Sequence, residues 1–249
     1  MKGNLYEGLV ESKLSKKKKF AVLLDPDKAR MKQFERTLKL AMESHVDYFF
    51  IGGSLIVTDM LDTTLEKIKN ECHIPTVLFP GNSFQLSYKA DALLFLSLIS
   101  GRNPELLIGK HVVAAPYLKL SPLEILPTGY MLIDGGVPTT VTYMSNTNPI
   151  PANKPDIAAS TALAGQFLGL KLIFMDAGSG AQNEVNKEMI NAVSSTIEIP
   201  LIVGGGIRDA GKAYENAANG ADLQVVGDAI EKNPEILPEI ASAIHSFNL

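Results

Sequence analysis

Short apolar runs recur along the chain, each closed by glycine, proline or aspartate and followed by a longer stretch. Phe20 to Leu24 stops at Asp25-Pro26-Asp27, Tyr48 to Ile51 at Gly52-Gly53-Ser54, and Thr76 to Phe79 at Pro80-Gly81. Ala92 to Leu96, Gly129 to Ile133 and Lys171 to Met175 repeat the pattern, as do the openings of LIVGGGIRD (Leu201 to Asp209) and LQVVGDAI (Leu223 to Ile230). Such brief, wholly apolar runs predict strands buried on both faces, and helices between them predict parallel βα units. Eight units predict one (β/α)8 barrel over residues 1–249, with its chemistry at the C-terminal strand ends and a phosphate pocket between the last two strands. Val46-Asp47, Ala90-Asp91 and Ala221-Asp222 each immediately precede a run, a weak internal rhyme consistent with αβ turns.

Apolar residues at helical spacing predict helices over 6–14 (Leu5, Leu9, Val10, Leu14), over 28–42 and over 104–119. Ser121-Pro122 then reads as a turn and a new helix start. Further helices are expected over 156–168, near Glu184 and over 234–247. The first of these is built of small apolar residues, which suits either close packing or the wall of a greasy groove. Asn82 to Lys89 is short and poor for a long helix, so the barrel is expected to be modified around the crossover after the third strand. Residues 137–155 hold four prolines and the polar run Ser145 to Asn148, and read as a long loop, a lid or a binding loop.

A length of 249 residues suits one barrel with a large core. A net charge of −4 with scattered basic residues leaves no footprint for nucleic acid. The lone Cys72 excludes an internal disulfide and reads as a small buried residue. No apolar run is long enough to cross a bilayer, and the N-terminus lacks the apolar stretch of a signal peptide, so a cytoplasmic protein is expected. Lys16 to Lys19 read either as a solvated turn or as a patch for an anionic substrate or lipid headgroups.

The strand ends carry the candidate chemistry. Glycine turns after the sixth, seventh and eighth strands offer converging backbone N–H groups and little charge, enough for one phosphate monoester. Arg208 follows the second of these turns. Pro26 disfavours helix at Asp25, so that carboxylate is presented at the rim, although helix capping is the plainer use of it. Asp25 with Ser54 makes an oxygen-only pair suited to Mg2+, which takes one or two carboxylates and fills its shell with water and phosphate oxygens. Asp176, at the end of the sixth strand, is placed to act as a general base on a hydroxyl. Two phosphate-handling positions in one mouth suggest two phosphorylated substrates. That reading requires Asp25 and Gly205 to open on the same face.

With these residues in place, the chain resembles the geranylgeranylglyceryl phosphate synthase family, prenyltransferases with a modified (β/α)8 fold. The resemblance runs through LLDPDK (23–28), IGGS (51–54), LFPG (78–81), PTGYMLIDGG (127–136), YMSNTNPIP (143–151), STALAGQFLGLKLIFMDAGSGA (160–181), VGGGIRD (203–209) and VVGDAIE (225–231). It implies transfer of a geranylgeranyl group from its diphosphate to the 3-hydroxyl of sn-glycerol 1-phosphate, with Mg2+ as cofactor and diphosphate as leaving group. It assigns Mg2+ to Asp25 and Ser54. It assigns the glycerol phosphate to Phe174, Met175, Asp176, Ala177, Gly178, Ser179 and Gly180, to Gly205 and Gly206, and to Gly227 and Asp228, with Asp176 as the catalytic carboxylate. A homo-oligomer, dimer or hexamer, and a peripheral membrane contact at product release are expected with it.

The family usually has Tyr-Leu-Glu where this chain has Phe174-Met175-Asp176, and often a neutral residue at 228. A lost tyrosine hydroxyl is worth roughly 0.5–1.5 kcal/mol, and a carboxylate about 1 Å short can cost on the order of a hundredfold in rate. Two alternatives follow: a phosphate- or prenyl-lipid-binding barrel with reduced or lost catalysis, and a different phosphate-binding enzyme such as a sugar-phosphate isomerase. The apolar helix over 156–168 and the lack of a second acid or base on the rim speak against the isomerase.

Overall fold

In the computed structural model, which describes residues 4–27, 33–53, 60–82 and 85–248, eight strands pair in parallel from first to last and the eighth returns to the first. They are β1 (Lys19–Leu24), β2 (Tyr48–Ile51), β3 (Thr76–Leu78), β4 (Ala92–Leu98), β5 (Glu124–Leu132), β6 (Leu172–Asp176), β7 (Leu201–Gly204) and β8 (Leu223–Val226). The helices are α1 (Leu5–Leu14), α2 (Gln33–Glu43), α3 (Leu61–Glu71), α4 (Lys110–Lys119), α5 (Thr140–Ser145), α6 (Pro155–Phe167), α7 (Lys187–Ser194), α8 (Ala210–Ala218), α9 (Asp228–Lys232) and α10 (Leu237–His245). A π-helical turn, Glu105–Gly109, leads into α4. No described residue between β3 and β4 is helical, so the barrel departs from the regular pattern at the expected crossover.

Side-chain alternation divides the core into layers. On β6, Leu172 and Phe174 point into the barrel, while Ile173 and Met175 pack outward against the helices. β2 behaves alike, with Tyr48 and Phe50 inside and Phe49 and Ile51 outside. Removing water from both faces is what makes these runs apolar throughout, and a fully buried Phe or Leu contributes about 1.5–3 kcal/mol.

The Asp rhyme has a structural reason. Asp47 precedes β2 and accepts the Phe20 N–H of β1 at 2.9 Å; Asp91 precedes β4 and accepts the Thr76 N–H of β3 at 2.9 Å; Asp222 precedes β8 and accepts the Leu201 N–H of β7 at 2.9 Å. Each carboxylate thus satisfies an N–H at the start of the preceding strand and fixes the register of the pair. Lysines complete these sites. Lys19 reaches Asp47 at 2.8 Å, and Lys13 and Lys18 reach Asp222 at 2.9 and 3.5 Å. The lysine run is divided: Lys16 and Lys17 are exposed, as in a solvated turn, whereas Lys18 is buried and Lys19 opens β1, at the end of the barrel away from the glycine loops. An anion patch for the substrate is ruled out there by position.

Other boundaries also move. Ser121-Pro122 starts no helix, because β5 begins at Glu124 and runs through Pro127. Residues 137–155 are not all loop, since α5 lies within them, and the helix expected near Glu184 starts at Lys187. Leu14 is 79% exposed and contributes nothing to the core. Among the described residues, no helix is long and apolar enough to cross a membrane.

Candidate active site

The C-terminal strand ends open into one cavity of about 810 Å3. Asp25 after β1, Asp176 at the end of β6 and Gly205 after β7 all line it, so the two sides of the mouth share a face. Phe174, Gly178, Ser179, Gly180, Gly206, Gly227 and Asp228 line it too. Met175 and Ala177 do not: alternation along the strand turns both into the layer between barrel and helices, where they are 0% and 1% exposed. Of the run that the resemblance assigns to the glycerol phosphate, these two turn their side chains away from the cavity. Ser54 and Lys28 lie outside the described residues.

Asp176 is the centre of the polar wall. Its Oδ2 accepts the Tyr130 hydroxyl at 2.6 Å and its Oδ1 accepts the Gly178 N–H at 2.7 Å. Burial pushes its carboxyl above the usual range, the two donated hydrogen bonds pull it back, and the negative charge of Asp228 adds to the rise. Tyr130 is raised far above an ordinary phenol by burial and by the adjacent carboxylate, so it donates at any working pH.

The glycine turns have the backbone that anion binding needs. Gly205 has φ +81°, and a Cβ there would lie 2.5 Å from Asp176 Oδ1 and 2.7 Å from the Ala177 and Gly178 nitrogens. No side chain fits between this turn and the Asp176 carboxylate, which already takes the Gly178 N–H. Arg208 donates to the Ala181 carbonyl at 2.6 Å and braces the turn after β6. Asp228 accepts the Ser179 hydroxyl at 2.8 Å, which ties the turns after β6 and β8 together.

Across the cavity, Asp25 Oδ1 accepts the Asp27 N–H at 3.0 Å, and the Asp25 N–H donates to Glu231 at 3.3 Å. Among the described residues, no group of three or more His, Cys, Asp or Glu side chains could hold a metal by itself. An oxygen-only site at one carboxylate instead fits an ion such as Mg2+ that completes its shell with phosphate oxygens and water.

From this polar end the cavity extends along Leu93, Phe95, Leu96, Ala114, Leu118 and Ile236, an apolar arm between β4, α4 and the segment before α10. Val141 and Met144 of α5 form part of its wall. His111 lines the arm with its ring edge-on to Phe95 at 4.5 Å, and burial lowers it toward the neutral imidazole. Sequence reading missed Tyr130, Phe79 and His111. Tyr130 stood in a quoted motif, but only the pairing of β5 with β6 shows that it meets Asp176.

The profile of the PcrB family matches residues 13–244. Geranylgeranylglyceryl phosphate synthase of Chitinophaga pinensis is 53% identical over 246 residues, covering 99% of this chain and 98% of the relative. The synthase of Spirosoma linguale is 50% identical over 240 residues, covering 96% of each. Among solved structures, (S)-3-O-geranylgeranylglyceryl phosphate synthase of Thermoplasma acidophilum, in complex with sn-glycerol-1-phosphate, superimposes with a TM-score of 0.91 at 31% identity over 98% of this chain and 99% of that one. The (β/α)8 scaffold, the clustered strand ends and these matches over nearly the full length place the chain in the PcrB family, among the geranylgeranylglyceryl phosphate synthases.

Proposed function

We propose that the protein is a Mg2+-dependent prenyltransferase that joins a geranylgeranyl group to the 3-hydroxyl of sn-glycerol 1-phosphate. One observation supports this reading: a single cavity is lined by glycine turns, a buried carboxylate and a set of apolar side chains. The acceptor's phosphate sits beside Gly178 among the backbone N–H groups of Ser179, Gly180, Gly205 and Gly206, with Gly227 and Asp228 offering theirs from the far side. Its 3-hydroxyl faces Asp176. That carboxylate takes the hydroxyl proton as the C–O bond to the allylic carbon forms and diphosphate departs. Asp25, with Ser54 as the family resemblance assigns it, would hold Mg2+, and the ion would supply charge neutralisation for the leaving diphosphate. The tail lies along the apolar arm, where each buried CH2 contributes about 0.8 kcal/mol.

A product with such a tail leaves most readily at a lipid surface, so a peripheral membrane contact at release belongs to the same reading. So does a homo-oligomer, dimer or hexamer, for which Phe167 and Leu168, 78% and 79% exposed at the end of α6, offer apolar surface. The test is incubation of the purified protein with radiolabelled sn-glycerol 1-phosphate, geranylgeranyl diphosphate and Mg2+. Label is expected in the organic phase. None there, with an active relative working alongside, would contradict prenyl transfer and favour a binding barrel that has lost turnover.

A further inference from the structure

The Tyr130 hydroxyl is a buried donor that the proposed reaction leaves unused. Tyr130 is 6% exposed and Asp176 8%, and 2.6 Å separates the hydroxyl from Oδ2. Strand register brings them together: Tyr130 stands opposite Phe174 and Leu132 opposite Asp176, so the tyrosine reaches one rung up the barrel. Its ring has little freedom, because Phe174 packs edge-on at 5.5 Å and Phe79 lies at 6.0 Å. Phe79 in turn stacks on Phe174 at 5.2 Å. A hydroxyl on a wedged ring points one way, and away from water its bond to a carboxylate is short and strong.

We propose that Tyr130 is the positioning residue for the base: it clamps Asp176 Oδ2 while Gly178 clamps Oδ1, leaving the carboxylate's remaining lone pairs aimed at the acceptor hydroxyl. The inference rests on the reading that Asp176 takes the acceptor's proton. It explains how a side chain as short as aspartate is held in one pose, and where the missing hydroxyl at position 174 has its counterpart. The groups that face Asp176 are Tyr130 from β5, the Gly178 N–H, and Asp228, whose charge opposes ionisation. The other charged side chains on the cavity wall are Asp25, Lys110, Arg208, Glu231 and Lys232.

The test compares wild type with Tyr130→Phe across pH. Loss of the donor leaves burial unopposed at Oδ2, so the acid limb of kcat/KM moves to higher pH, by about one unit, and kcat falls roughly tenfold, with KM for glycerol phosphate changing less than about threefold. Tyr130→3-fluorotyrosine keeps the ring and strengthens the donor, and moves the limb the opposite way. Independently of turnover, the 13Cγ resonance of Asp176, assigned by its loss in Asp176→Asn, is expected to titrate at higher pH in Tyr130→Phe. Unchanged titration midpoints in both variants would overturn the clamp even where wild type makes product. A wild type without product but with the shifted midpoint would keep the clamp and sink the base role.

Discussion

At the scale of single residues, the proposed chemistry rests on a carboxylate kept in an expensive place. Burial raises Asp176, so its ionised form destabilises the folded chain above the unfolded-state range of aspartate; stability is fuller at low pH and lost as pH rises through the raised value. Asp176→Asn should therefore abolish prenyl transfer yet melt higher than wild type at pH 7–8, with the gap closing on acidification. Each kcal/mol recovered is worth about 2–4 °C in a chain of this size. A melting temperature that falls at every pH would contradict the assignment. Asp228 belongs to the proposed phosphate end of the cavity. It places a negative charge in a pocket proposed for a phosphate, softened because its carboxylate is turned to the Ser179 hydroxyl. Asp228→Asn should lower KM for sn-glycerol 1-phosphate roughly fivefold, an effect of about 1 kcal/mol, measured by initial rates at fixed prenyl diphosphate. An unchanged or raised KM would show that the carboxylate itself contacts the acceptor.

At the scale of elements, period and punctuation made most of the barrel legible. β2 was readable to the residue, since a four-residue apolar run ended in two glycines leaves no latitude. β5 was half lost, because Ser121-Pro122 and Pro127 look like breakers in a chain whose partners across the ladder are unseen. α5 was lost for a similar reason, being six residues long and polar at both ends. In the site, glycines and aspartates at strand ends announced themselves, whereas the Tyr130 contact spans 46 residues and depends on register. The αβ-turn aspartates carry a prediction of this scale. Asp47 is raised by burial, but hydrogen bonds from His245, Lys19 and the Phe20 N–H outweigh that and hold it below the usual range. Its stabilisation is present above the unfolded-state value and lost as pH falls through the lowered one. Asp47→Asn should cost about 1–3 kcal/mol near neutral pH, with the two melting curves converging as pH drops below about 4. Parallel curves would mean that the staple is not ionic. Gly205→Ala, which sets a methyl against backbone nitrogens, should abolish phosphate protection against thermal unfolding. Intact protection would move the phosphate elsewhere.

At the scale of the whole molecule, the barrel divides stability from chemistry along its axis. One end carries aspartate–lysine pairs that lock the strands, and the other carries the glycine turns, Asp176, Asp25 and the apolar arm. Because strands converge there, glycine turns, a carboxylate and apolar side chains meet around one cavity of about 810 Å3 without any one loop supplying all three. Phe174 and Asp176 need not signal decay on this view, since Tyr130 restores a hydroxyl beside the carboxylate. The most direct measurement is a crystal structure with sn-glycerol 1-phosphate, Mg2+ and an unreactive thiolo-diphosphate analogue of the prenyl donor. We expect the acceptor phosphate among Gly178–Gly180 and Gly205–Gly206, the diphosphate beside Asp25, and the 3-hydroxyl about 3 Å from Asp176. A phosphate bound outside the glycine turns, or an Asp176 carboxylate out of reach of that hydroxyl, would contradict it.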